Sequence, residues 1–333
     1  MSTATEESQA DRAARQRRGE FVRGVSAHRH WIGDPDFPPE PGRYHLFVAL
    51  NCPWCHRATL ARAVLGLESS ISMDVAFPNR TRDDDPAGAG LWEFAPRRIA
   101  SLTGGPLPEC TNETGTGDGL RLAVEIYARE SSTEKSLPLL FDKRAGRIVS
   151  NESAEIIRML NEHARALGAA DPPDLYPGDL RDEIDTLNER IYVAINNGAY
   201  KAGFSSDQAV YATAFETYFE ALRELENRLS DDRPFLAGER FTEADLRLFP
   251  TLYRHDPVYV VRMKLNGARI LDFPHLWRWL CRVHALSGIA DAGSLTHCRQ
   301  GYFGRSWNGT VPLGPLVPMP YPEAYHHPEL ADR

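Results

Sequence analysis

The stretch YHLFVALNCPWCHRATLARAVLG, residues 44–66, constrains the fold more than any other part of the chain. Tyr44–Leu50 is short, apolar and rich in strand formers, Pro53 suits a first helical turn, and HRATLARAVLGL continues as a helix. SISMDVAF then reads as a second strand. Strand, helix and strand in that order predict a βαβ unit with parallel pairing and a right-handed crossover. Cys52 and Cys55 sit at the turn, where they could hold a metal, close a disulfide or do thiol chemistry.

With 333 residues the chain has room for two domains. Residues 1–40 read as an irregular arm, polar and then Pro-rich. An α/β domain is expected over 41–168, broken by a Gly/Pro-rich insertion at about 79–119. Its second half, SLPLLFDKRAGRIVSNESAEIIRMLNEHA, reads as strand, tight turn at 143–146, strand and helix. GAADPPDLYPGDL is a linker. Beyond it apolar residues step by three or four (Leu180, Ile184, Leu187, Ile191; Tyr211, Phe215, Tyr218, Leu222), so 177–310 is expected to be all-helical. Thr242 and Asp245 stand at capping-box spacing. Residues 311–333 read as an irregular tail.

A net charge of −8 argues against a nucleic-acid partner. No run of about 18 apolar residues is present and the N-terminus lacks the apolar core of a signal peptide, so the expectation is no membrane and a cytoplasmic protein. Five cysteines are too few and too scattered for a disulfide framework.

The position of the cysteine pair favours thiol chemistry. At a helix start a thiol meets unpaired N–H groups and the positive end of the helix dipole, which lower its pKa, and His56 and Arg57 are expected to add positive charge. Cys52 is therefore the candidate nucleophile. Cys55, one turn on, could resolve a mixed disulfide or simply pack in the helix. A zinc site would need two further ligands, and no second close pair accompanies this one, so no metal is expected. A thioredoxin-like domain also needs a proline, usually cis, at the strand opposite the active-site helix. Pro138 in SLPLLFD fits that order. Glu152 and Ser153 stand at a helix start, where N–H groups and a hydroxyl can hold a carboxylate.

From about residue 20 to about 315 these motifs, together with NNGAYKAGF, FTEADLRLFPTLYRHDPVYV and FPHLWRWL, resemble the glutathione transferase superfamily. The likeness is closest to its xi class, the glutathionyl-hydroquinone reductases. It implies an α/β thioredoxin-like N-terminal domain, an all-α helical C-terminal domain and a homodimer. It also implies catalysis by Cys52, with glutathione held by Trp92, Leu137, Glu152 and Ser153, and tyrosines Tyr200, Tyr259 and Tyr302 lining a hydroquinone pocket. Tyr200 and Tyr302 lie beside glycines and are expected in loops. Tyr259 follows a core-like run, where packing is the plain alternative.

Two departures stand out. The family usually has Ala where Cys55 stands, and an anchoring Arg before the LP strand where only Lys135 offers positive charge. Glutathione is the thiol that the family implies, with another low-molecular-weight thiol such as mycothiol as the alternative. The implied reaction removes the thiol from a quinol conjugate through a mixed disulfide on Cys52. A glutaredoxin-like dithiol reductase using Cys52 and Cys55, and a non-catalytic interaction module, are the other readings.

Overall fold

The computed structural model describes residues 9–105, 107, 119–304 and 311. Cys110, the core of the Gly-rich insertion and nearly all of the tail lie outside the described residues.

The N-terminal half is built on a four-stranded sheet of β1 (Tyr44–Val48), β2 (Ser72–Val75), β3 (Leu139–Asp142) and β4 (Arg147–Ser150), in the order β2-β1-β3-β4. Strand β1 runs parallel to β2, with His45 opposite Ser72, and antiparallel to β3, with Phe47 opposite Leu139. Every β1 residue is buried, because helices cover both faces and leave no solvated side for alternation. The β3–β4 turn closes as its residues predict. The Asp142 carboxylate accepts the N–H groups of Arg144 and Ala145 at 2.9 and 3.0 Å, and Gly146 takes the left-handed conformation at φ +65°.

Around the sheet lie α2 (Pro53–Val64), α3 (Pro96–Thr103), α4 (Ala123–Ala128) and α5 (Ser153–Glu162), preceded by α1 (Gln9–Arg17) in the arm. The arm is thus not wholly irregular. QADRAARQR has strong intrinsic helix formers but little apolar periodicity, so a reading based on periodicity passes over it. Beyond α1 the arm is pinned to the sheet edge, where His30 N–H donates to the Val149 carbonyl at 2.9 Å and Asn151 N–H to the His28 carbonyl at 3.1 Å. Within the insertion, α3 buries Ile99 in the core.

The second half comprises α6 (Arg181–Arg190), α7 (Asn197–Phe204), α8 (Gln208–Arg228), α9 (Glu243–Arg254), α10 (Val260–Arg262), α11 (Pro274–His284) and α12 (Leu295–Phe303). A π-helical turn, Ile191–Asn196, joins α6 to α7, and a second, His255–Tyr259, joins α9 to α10. The start of α9 is fixed by the buried Asp245 carboxylate. It accepts from Thr242 N and Oγ1, Leu236 N and Trp279 Nε1 at 3.0, 3.1, 2.8 and 2.8 Å. Asp thus performs the capping-box role with one oxygen and accepts from two neighbours with the other.

Helix α2 packs between α5 and α9, so its first ten residues, Pro53–Arg62, are all buried. Thr59 Oγ1 donates to the Ala292 carbonyl at 2.7 Å and the Arg57 guanidinium to Asn196. The helix that carries both cysteines therefore belongs to both halves of the molecule.

Candidate active site

Cys52 is the N-cap residue of α2, in extended conformation at φ −83° and ψ 124°. The Leu137–Pro138 peptide bond is cis, and Cys52 Sγ lies 3.8 Å from the Leu137 carbonyl oxygen. Strand end, helix start and cis-proline thus meet at one sulfur.

The Cys52 pKa is lowered to about 6. The largest cause is a hydrogen bond from the Cys55 thiol. Burial works against it, and the N–H groups of Cys55 and Trp54 and the charge of Arg23 add to the lowering. Cys55 is fully buried, and burial holds its own thiol well above the ordinary range. One sulfur of the pair is poised as a thiolate and the other stays a protonated donor.

The expected charge from His56 and Arg57 is not there. His56 turns away from Cys52 into the domain junction, where its Nδ1 accepts from Arg254 at 2.8 Å, and burial and that cation hold it neutral. Arg57 is buried against Asn196 and lies 4.5 Å over the Trp54 ring. His56 and Arg57, four and five residues after Cys52, follow the helix surface into the packing instead of facing its end. The cation that acts on Cys52 is Arg23, from the arm, whose guanidinium stands 3.7 Å over the Trp54 ring.

Cys52 opens into a cavity of about 450 Å³. On one side lie Asn51, Trp92, Arg80, Ser136 and Leu137. On the other lie Tyr200, Phe204, Arg262 and Tyr302. A smaller cavity of about 190 Å³ adjoins it, shares Arg23, Trp54, Ser136 and Leu137, and reaches Ser153. Trp92 Nε1, Asn51 Oδ1 and Ser153 Oγ are buried polar atoms without a hydrogen-bond partner. Such orphans along one trough suit a peptide-like ligand that brings its own donors and acceptors.

Other expected residues fall differently. Glu152 is the N-cap of α5, accepting Ala154 N–H at 3.1 Å and the Ser26 hydroxyl at 3.1 Å, so it supports Ser153 from behind. Lys135 is exposed and lines neither cavity, which removes it from the anchoring position. Tyr200 and Tyr302 are not in loops but on α7 and α12. Their hydroxyls are 2.6 Å apart, and Tyr259, fully buried at the end of the second π-helical turn, places its own 3.2 Å from that of Tyr302. Burial raises the pKa of all three phenols, so each is a proton donor at neutral pH. The small neighbours Gly203 and Gly301 permit close packing within helices and do not mark loops. A Cβ at Gly301 would lie 2.2 Å from Asn51 Nδ2.

Arg254 could not be found by motif. It is fully buried and donates to the carbonyls of Leu50 and Asn51 at 2.9 and 3.2 Å, to the Pro250 carbonyl at 2.8 Å and to His56. The guanidinium thus ties the backbone just before Cys52 to α9.

Among the described residues Cys52, Cys55, Cys281 and Cys298 are free thiols, and no group of His, Cys, Asp or Glu could hold a metal. No described helix is long and apolar enough to cross a membrane.

A sheet of this topology, with a cysteine at the first helix start opposite a cis-proline and a helical domain closing the cleft, defines a glutathione transferase-type enzyme. Family models agree: the glutathione S-transferase N-terminal domain matches residues 51–163 and the C-terminal domain residues 208–282. The chain is 38% identical to glutathionyl-hydroquinone reductase PcpF of Sphingobium chlorophenolicum, over 91% of this chain and 92% of that one. It is 39% identical to glutathionyl-hydroquinone reductase YqjG of Escherichia coli, over 89% and 88%. Among solved structures, the glutathione-bound YqjG superposes with a TM-score of 0.78 at 37% identity, over 91% of this chain and 98% of that one. The xi glutathione transferase of Phanerochaete chrysosporium gives 0.76 at 34%, over 90% and 100%. The chain belongs to the glutathione transferase superfamily, in its xi class.

Proposed function

We propose that this enzyme removes glutathione from glutathionyl-hydroquinone-type conjugates through a mixed disulfide on Cys52. The observation that supports it best is that a thiol with a pKa of about 6 and the hydroxyl pair Tyr200–Tyr302 open into one cavity. Cys52 thiolate attacks the sulfur of the conjugate, forming a disulfide with glutathione and breaking the bond from sulfur to the ring. The electron pair goes to the ring carbon, which takes a proton from the tyrosine pair and leaves as hydroquinone. A second glutathione thiol then attacks the mixed disulfide, returning Cys52 thiolate and releasing glutathione disulfide. Trp92, Leu137 and Ser153 hold the thiol, with Glu152 fixing Ser153. Tyr259 orients Tyr302 from the protein side.

Relatives named as glutathionyl-hydroquinone reductases, one with glutathione bound in its solved structure, support glutathione over mycothiol. This reading also takes the protein as a cytoplasmic homodimer, with a thiol domain over 41–168 and a substrate domain over 177–310. Light scattering on the purified chain checks the dimer.

With glutathionyl-hydroquinone and glutathione supplied, hydroquinone and glutathione disulfide are expected in equal amounts, and Cys52→Ser is expected to abolish both. If the conjugate persists while a small mixed disulfide is reduced, the protein is a dithiol reductase instead. The contact between Cys52 and Cys55 is what favours that second reading.

A further inference from the structure

The larger cavity is charged in one sense. Its wall carries Arg23, Arg80 and Arg262 and no Asp or Glu, in a chain whose net charge is −8. Arg23 and Arg80 stand on the thiol side. Arg23 lies over Trp54 and also lines the smaller cavity that reaches Ser153, and Arg80 lies 4.3 Å over the Trp92 ring. The pair of carboxylates on glutathione accounts for cations on that side.

Arg262 comes from the helical half, with Tyr200 and Tyr302, and does not line the smaller cavity that reaches Ser153. It ends α10, directly after the π-helical turn that delivers Tyr259, and its Nε donates to the Tyr302 carbonyl at 3.1 Å. That bond holds the guanidinium at the cavity edge beside Tyr302, with the remaining N–H groups available. Arg262 is exposed, and among the described residues the bond it makes is to a carbonyl and not to a carboxylate. A fork of donors lining the same cavity as the hydroxyls that meet the departing ring matches a planar anion on that ring.

We propose that the aromatic half of the substrate carries a carboxylate and that Arg262 recognises it. The inference rests on the hydroquinone reading above and specifies its substrate class: a dihydroxybenzoate in place of a neutral hydroquinone. The covalent steps are unchanged. The carbon–sulfur bond still breaks onto the ring carbon, and glutathione still supplies the resolving thiol, while the carboxylate takes no part beyond binding.

The test compares kcat/KM for the glutathionyl conjugate of 2,5-dihydroxybenzoate with that of its methyl ester, which has the same ring and no charge. The carboxylate is expected to be preferred by about tenfold, one charge-assisted contact at a partly solvated site, and the preference is expected to shrink as salt is raised. Arg262→Gln should bring the ratio close to one, and Arg262→Lys should restore part of it, because Lys keeps the charge without the fork. Equal rates for the two conjugates in the native enzyme, or an unchanged ratio in Arg262→Gln, would overturn the proposal while the turnover itself upheld the hydroquinone reading. Failure to turn over either conjugate, or unsubstituted glutathionyl-hydroquinone, would overturn both.

Discussion

At Cys52 burial and hydrogen bonding oppose each other, and hydrogen bonding wins: the thiol that desolvation alone would keep protonated titrates at about 6. The sign is that of a depressed acid, so the thiolate already predominates below the ordinary thiol range and is lost as pH falls through 6. Alkylation by iodoacetamide is expected to follow a single rise centred there. A midpoint near the usual 8.5 for a free cysteine would show that the surroundings do not activate it. Since the Cys55 thiol is the largest cause of the lowering, Cys55→Ala should move that midpoint upward and slow turnover at pH 6 more than at pH 8. An unmoved midpoint would leave Cys55 as packing alone. The Cys-x-x-Cys spacing and the helix start already pointed to Cys52 as the nucleophile, while the hydrogen bond that Cys55 offers it came only with burial. Sequence places Cys55 one turn into a helix without saying which neighbours cover that turn.

At the scale of elements, what could be read from the chain is what local spacing determines. The βαβ opening, the turn at 143–146, the helical stripes of α6 and α8 and the Thr242–Asp245 cap all rest on neighbours a few residues apart. What could not be read depends on partners far along the chain. Tyr200 and Tyr302 meet across more than a hundred residues, Arg23 reaches Trp54 from the arm, and Arg254 reaches Leu50 and Asn51 from α9. Glycine beside a tyrosine suggested loops because its conformational freedom is the commoner reason for its use, yet here its small size lets helices approach. The Arg254 arrangement can be tested by itself. Its charge is buried among carbonyls and a neutral imidazole, with no carboxylate bonded to it among the described residues, so its removal leaves several acceptors unpaired. Arg254→Met is expected to cost about 3 kcal/mol in urea unfolding. It should also lower the Cys52 alkylation rate measured well above pH 6, where thiolate fraction no longer matters and only positioning does. Loss of stability with an unchanged limiting rate would reduce Arg254 to a structural tie.

Across the whole molecule the site has no single owner. Helix α2 belongs to the thiol domain by sequence, yet its inner face packs on α9, and Arg57, Thr59 and His56 bond to the helical half. The arm closes the same cleft from outside: Phe21 packs against the rings of Tyr200 and Phe204 at 5.9 and 5.7 Å, and Ser206 N–H and Ser205 Oγ both donate to the Gly19 carbonyl at 3.2 Å. Ser26 and His28 tie its far end to the β4–α5 junction, with Ser26 Oγ donating to Glu152 and His28 N–H to Asn151 Oδ1 at 3.3 Å. The arm therefore bridges both halves at the point where thiol and ring would meet, and removing it does more than shorten the chain. A protein lacking residues 1–25 is expected to keep its sheet and helical core, because the contacts that join α2 to α9 do not involve the arm. It loses Arg23, whose charge helps lower the Cys52 pKa, and Phe21, which walls the aromatic side. Its far-UV circular dichroism is expected to stay close to that of the full chain, its Cys52 alkylation midpoint to rise above 6, and its KM for the conjugate to rise more than its kcat falls. Arg23→Gln in the full chain should reproduce the shift in midpoint but not the full rise in KM, which separates the electrostatic part of the arm from its part as a wall. A truncated protein with an unshifted midpoint and an unchanged KM would mean that the arm only rests on a site complete without it.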